Sequence, residues 1–256
     1  MTERRHTGPL QVQKPLYPEG RSVCHTVILH PPGGMAEGDT TRIEVTQGAG
    51  TRTVLTSPAA TKWYKSNGGF ASQEVQIRLG PQAQLDWLPP ENILFENARA
   101  QFRFQLELDP EASAIGWEAF VLGRRAMGEM WNSGALRNDA RFINVGQTLL
   151  WAEKTNLSAD SHLRAACQGL AGFPNFGMVW ATGSNCNQAL AEKLAPMLPF
   201  KDNLRTGVTC FDNGVLIVRA VAEKMEPLRE LMVSCWSYLR PAVHGRHSQP
   251  LRLWSV

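Results

Sequence analysis

His30, Glu37 and Asp39 fall within the run His30-Pro31-Pro32-Gly33-Gly34-Met35-Ala36-Glu37-Gly38-Asp39. An imidazole and two carboxylates so close in sequence can ligate a divalent metal, or can act as acid and base on a substrate. The prolines fix φ and remove amide donors, and the glycines admit backbone conformations that other residues avoid. The run is therefore a shaped loop and no helix. It is either a turn that needs its shape or the mouth of a metal or partner site, and composition leaves both open.

Further carboxylates lie in apolar or proline-bearing surroundings. Glu91 follows Leu88-Pro89-Pro90, Glu153 follows Leu149-Leu150-Trp151-Ala152, and Glu118 and Glu129 sit among apolar residues and glycines. Burying such a group costs several kcal/mol unless it is paired. Arginines close in sequence (Arg42, Arg99, Arg124, Arg137) make an ion pair the expectation for each, and a carboxylate left without one is a candidate for a channel lining. The five cysteines form no CxxC pair, so reduced and mostly buried thiols are expected. His244 and His247 read as part of a surface tail, because Pro241 and Gly245 argue against a helix presenting both. No serine nucleophile elbow, P-loop, dinucleotide fingerprint or HExxH occurs in the sequence. Thr182-Gly183-Ser184 fits a helix N-cap better than an anion cradle.

The elements that must carry these groups are mainly strands. Phe102, Phe104, Leu106 and Leu108 alternate with Arg103, Gln105 and Glu107, as Val75, Ile77 and Leu79 alternate with Gln76 and Arg78, and Ile43 and Val45 with Arg42, Glu44 and Thr46. Period two with one wet face is the strand signature. Turn signals recur about every dozen residues, which predicts an antiparallel, meandering system. Asp212-Asn213-Gly214 between two apolar runs predicts a hairpin. Two helices are expected in the last third. One spans about Cys186 to Met197, capped near Ser184 or Asn185. The other has Pro227 in its first turn, carries the stripe Leu228, Leu231, Met232, Cys235, Trp236 and Leu239, and ends at Pro241. Residues 155–185 read as the loosest seam, and no internal repeat is visible.

Composition excludes several classes. A net charge of +3 provides no footprint for nucleic acid. No apolar run reaches the ~18 residues of a membrane span. Met1-Thr2-Glu3-Arg4-Arg5 is basic without an apolar stretch behind it, so it does not read as a signal peptide, and a cytoplasmic location is expected.

His30-Pro31-Pro32-Gly33-Gly34 with Gly38-Asp39 resembles the HPPGG-x-x-x-GD signature of the D-type urease accessory proteins, called H-type in some bacteria. Leu55 to Tyr64 is similar to the family's TxPxAxKxY element, Leu85 to Phe95 to its EWLPQ-type element, and Leu122-Gly123-Arg124 with Gly128-Glu129 to its LGRxxxGE element. Gly8 to Lys14-Pro15 and Tyr17-Pro18-Glu19 resemble its early segment, and Trp236, Leu239-Arg240-Pro241, Gly245, Arg252 and Trp254 its closing pattern. The resemblance runs in order over nearly the whole chain, which is read as one D-type domain over 1–256, short at the N-terminus because only seven residues precede Gly8. Two departures are Glu37, where the family often has glycine, and Asp86 and Pro90 in place of the commoner Glu and Gln.

The resemblance implies a mostly β (α+β) fold of stacked, helically wound antiparallel and mixed sheets with two helices in the C-terminal third. It implies no enzyme and no tightly bound cofactor, but a scaffold that binds the F-type accessory protein, reaches the G-type GTPase through it, engages apo-urease, and assists GTP-dependent delivery of nickel. Nickel(II) held in a closed Cys/His cage would be trapped, so a conduit should offer dispersed oxygen ligands. Glu37, Asp39 and Glu153, with His30, are the residues expected to line a transient nickel path. The competing readings are a carboxylate-based hydrolase or isomerase and a stand-alone nickel-storage protein.

Overall fold

The computed structural model describes residues 3–254. Met1 and Thr2, which open the basic N-terminal stretch, lie outside the described residues. The strands are β1 (Gln11–Val12), β2 (Cys24–Leu29), β3 (Gly34–Met35), β4 (Thr40–Gln47), β5 (Arg52–Thr56), β6 (Thr61–Trp63), β7 (Ala71–Leu79), β8 (Gln84–Leu88) and β9 (Asn92–Leu94). They continue as β10 (Arg99–Leu108), β11 (Ser113–Leu122), β12 (Ala135–Asn144), β13 (Leu149–Ser158), β14 (Asn175–Thr182), β15 (Phe200–Lys201), β16 (Leu204–Phe211) and β17 (Val215–Ala222). The helices are α1 (Gln188–Leu194) and α2 (Met225–His244).

From β2 to β12 the chain coils. Each pass lays one strand in a large sheet and one in a five-stranded sheet, with the short row β3, β6, β9 between them on the first three passes. Neighbours in the coil are parallel, so the column Cys24, Thr53, Leu85, Ala114 steps by 29, 32 and 29 residues. The expected antiparallel meander is thus corrected over this region. Period-two alternation sets which face of a strand is buried, but it carries nothing about the direction of the neighbour. The antiparallel part comes later: β14, β17, β16 and β15 extend the large sheet from β11, and β13 closes the five-stranded order β13-β12-β10-β7-β4. The fold is mostly β with mixed, stacked, solenoid-like sheets and both helices in the C-terminal part.

The outer face of the five-stranded sheet carries the polar half of each alternating run. Arg42, Glu74, Arg103, Asp139 and Lys154 stand in one register row, a ladder of alternating charge across all five strands. Arg42 and Arg103 both donate to Glu74, at 3.0 and 2.8 Å. Opposite charges on directly facing residues favour this register. The inner face packs on the large sheet through Phe104, Leu106, Phe142 and Trp151 against Leu85, Trp87, Trp180 and Ile217. Gly116 is part of that fit: a Cβ there would stand 2.3 Å from the Trp180 ring.

The helices cover the other face of the large sheet. Leu228, Leu231, Met232, Cys235, Trp236 and Leu239 of α2 are buried in one cluster with Ile115, Trp117, Val179 and Val218. The predicted stripe is the observed one, but the predicted end is not. α2 runs three residues past Pro241 and closes on Gly245, whose φ is +65° and whose N–H donates to the Pro241 carbonyl at 3.0 Å. The last turn survives the proline because tertiary contacts hold it. Arg240 donates to Asp86 (3.0 Å) and to Glu19 (2.9 Å), and His244 contacts Ser113 (2.8 Å) and the Leu85 carbonyl (3.3 Å). His244 is therefore buried and not in a surface tail. Burial pushes its pKa below the ordinary histidine value, so the neutral ring accepts from the Ser113 hydroxyl.

Three further expectations shift. α1 begins two residues later than expected and is capped by Asn187, whose side chain accepts from the Leu190 N–H at 2.9 Å; Gly183, with φ at +141°, lies in the preceding loop. The Asp212-Asn213-Gly214 hairpin forms, with Phe211 facing Val215. Only Gly214 has positive φ, so this is a three-residue loop and not a type I′ turn. Residues 155–185 are no seam, since β14 is a largely buried interior strand of the large sheet.

Candidate functional site

Alternation along β11 puts Ile115, Trp117 and Ala119 toward the helices and Ala114, Gly116, Glu118 and Phe120 toward the five-stranded sheet. Glu118 is thus a carboxylate on an apolar face between two sheets. Asn138, inward on β12, donates from Nδ2 to Glu118 Oε2 at 2.9 Å. Among the described residues no arginine or lysine is hydrogen-bonded to Glu118. Desolvation pushes its pKa up to about 7, with the nearby Glu153 carboxylate adding to the rise and the Asn138 hydrogen bond opposing it. Glu118 therefore sits near the midpoint of its titration at neutral pH.

Two cavities meet at this side chain. The first, of about 190 Å³, is lined by His30, Lys62, Gln73, Asn92, Phe104 and Glu118 among others. The second, of about 380 Å³, is lined by Glu118, Asn138, Glu153, Thr155, Met178 and Arg219 among others. Glu118 keeps accessible surface although it is enclosed by protein, and the cavities supply that surface. Across the second cavity Arg219 of β17 donates to Glu153 of β13, joining the two sheets by an ion pair. The Asn138 Oδ1 and Thr41 Oγ1 atoms are buried with no hydrogen-bond partner among the described residues. They share the inward row Thr41, Gln73, Phe102, Asn138, Thr155, so the gap between the sheets carries a polar strip through an otherwise apolar core.

The other predicted site residues are placed differently. His30 lines the first cavity and Glu153 the second. Glu37 and Asp39 line neither. Both oxygens of Glu37 accept backbone amides, from Asn67 at 2.7 Å and Gly69 at 2.6 Å, and these bonds hold its carboxyl below the usual range. Asp39 accepts the Ala36 N–H at 2.8 Å, closing its own turn. The structure thus does not bring His30, Glu37, Asp39 and Glu153 into one cluster. Among the described residues no group of three or more His, Cys, Asp or Glu side chains is arranged to hold a metal ion. The expected arginine pairing holds for Glu91 with Arg229, Glu129 with Arg124 and Glu153 with Arg219, and fails for Glu118. That exception was detectable as a carboxylate whose period-two neighbours, Gly116 and Phe120, are both core residues; its role as the wall shared by two cavities was not.

Residues 1–255 match the family described as UreD urease accessory protein. The chain belongs to that family. A urease accessory protein UreD from Cupriavidus necator is 50% identical over 259 residues, covering 100% of this chain and 89% of that relative. One from Cupriavidus pinatubonensis is 49% identical with the same coverage, and one from Bordetella pertussis is 41% identical over 260 residues, covering 100% of this chain and 91% of the relative. Membership of the UreD family gives the chain a role in urease maturation. The relatives are named accessory proteins, which fits a non-catalytic role. No helix among the described residues is long and apolar enough to cross a membrane.

Proposed function

We propose that this chain is a cytoplasmic scaffold for urease maturation, which joins an F-type accessory protein, through it a G-type GTPase, and apo-urease, and through which nickel passes to the urease site during GTP-dependent assembly. The observation that carries the nickel path is the Glu118 carboxylate, shared by two cavities that together follow the gap between the sheets. A cation crossing that gap meets single ligands one at a time: the His30 imidazole in the first cavity, then the Glu118 carboxylate, then Glu153 once Arg219 yields it. Dispersed single ligands bind nickel too weakly to trap it. Glu37 and Asp39 brace the glycine-rich loop whose Gly33 lines the first cavity.

The test is urease activation in cells expressing Glu118→Ala with Glu153→Ala, alongside Asp39→Ala. The double variant is expected to copurify with its partners while urease nickel content falls several-fold, and Asp39→Ala is expected to have the smaller effect. Normal nickel content with an intact complex would sink the conduit. Loss of the partners from the wild-type pull-down would sink the scaffold.

A further inference from the structure

On the outer face of the five-stranded sheet, four arginines have a carboxylate partner: Arg42 and Arg103 share Glu74, Arg78 pairs with Glu107, and Arg141 with Asp139. Two others on that face do not. Arg99 of β10 and Arg137 of β12 both place their guanidinium carbons over the ring of Phe70, at 4.9 and 4.2 Å from its centroid. Among the described residues neither is hydrogen-bonded to a carboxylate, and the Arg99 Nε is buried with no partner at all. Arg99 acts through space on the Glu37 carboxylate, both of whose oxygens are taken by the Asn67 and Gly69 amides. Two like charges are thus held on one aromatic ring with no hydrogen-bonded carboxylate among the described residues, on a face where the other arginines named are paired. Cation–π contact offsets part of the repulsion. A buried donor with no acceptor carries an uncompensated desolvation cost.

We propose that Arg99, Phe70 and Arg137 form a docking site for a carboxylate on an acidic segment of a partner protein. A carboxylate can accept from the outer N–H groups of these guanidiniums, whose planar set of donors an ammonium cannot copy. Gln101 faces Arg137 from β10 and Asn156 faces it from β13, so neutral donors flank Arg137 on both sides. The site lies on an open sheet face and outside both cavities. A free small anion would gain only these few bonds there, whereas a protein segment adds the rest of its interface. The site is independent of the nickel path.

The test uses the full chain with ¹⁵N-labelled arginine and follows the Nε–H resonances, assigned through Arg99→Lys and Arg137→Lys. The probe is N-acetylated hexaglutamate, with inorganic phosphate and sodium chloride at matched ionic strength as controls. Hexaglutamate is expected to shift the Arg99 and Arg137 signals and to leave those of the paired Arg42, Arg103 and Arg141 in place. Arg137→Gln, an exposed substitution that the fold tolerates, is expected to weaken the peptide at least five-fold. Equal shifts at the paired arginines, no shift at millimolar peptide, or a phosphate response as strong as the peptide's would each overturn the proposal.

Discussion

Asn138 Nδ2 reaches across the gap between the two sheets to Glu118 Oε2 at 2.9 Å, and among the described residues this is the hydrogen bond that anchors the Glu118 carboxylate. A neutral donor from one sheet thus meets a titrating acid from the other, which makes the inter-sheet gap sensitive to pH.

The consequence for stability has a definite sign. The folded-state pKa of Glu118, about 7, lies above its unfolded value, so the native state binds more protons between those two values and stability falls as pH rises through that window. Glu118→Gln keeps an oxygen for Asn138 and removes the titration. It is expected to be more stable than wild type at pH 8, by at most about 3 kcal/mol, and to match it near pH 5. Urea unfolding at both pH values checks this; equal differences at the two would refute it.

The clasp around Arg240 is expected to be the most mutation-sensitive polar feature. Arg240→Met leaves Glu19 and Asp86 buried without their cation, which costs about 3–5 kcal/mol. Adding Glu19→Gln and Asp86→Asn to the same chain should restore part of the loss. Denaturation midpoints of the two variants decide it, and a triple variant no better than the single one would show that charge is not the cause.

Gly116→Ala tests the close packing of the sheets. Its methyl would meet the Trp180 ring, and overpacking of this kind costs about 1–3 kcal/mol. A lower melting temperature with reduced near-ultraviolet dichroism is the expected result, and an unchanged melting curve would contradict it.

Glu129 ties down the loop around Gly123 to Trp131. The Arg124 guanidinium, helped by the Glu96 and Arg124 amides, holds its carboxyl down to about 2. A lowered folded-state pKa contributes stability that is complete above the unfolded value and is lost as pH falls through about 2. Hydrogen exchange of this loop, corrected for intrinsic rates, should be as protected at pH 6 as at pH 7 in the wild type, less protected below pH 4, and faster at pH 6 and 7 in Glu129→Gln. Loss of wild-type protection between pH 7 and pH 6 would refute the assignment.

The sequence by itself determined the strand stripes, the apolar face of α2, the hairpin at Asp212-Asn213-Gly214 and, through motifs in order along the chain, the family. These are local facts: alternation, helical spacing and turn chemistry act over a few residues, and a motif is read where it stands. What only the tertiary structure decided depends on residues far apart in the chain. Parallel coiling sets Cys24 beside Thr53 and Arg42 beside Glu74, and no local pattern states a neighbour's direction. Arg240 meets Glu19 across 221 positions, and that contact carries α2 past Pro241 against its local preference. Glu37 and Asp39, read from the sequence as candidates for the nickel path, accept backbone amides from residues that only the fold brings beside them or that close their own turn. Glu118 became the centre of the candidate site because two sheets closed over it, and burial, which shifts a carboxylate, is a property of the packed fold.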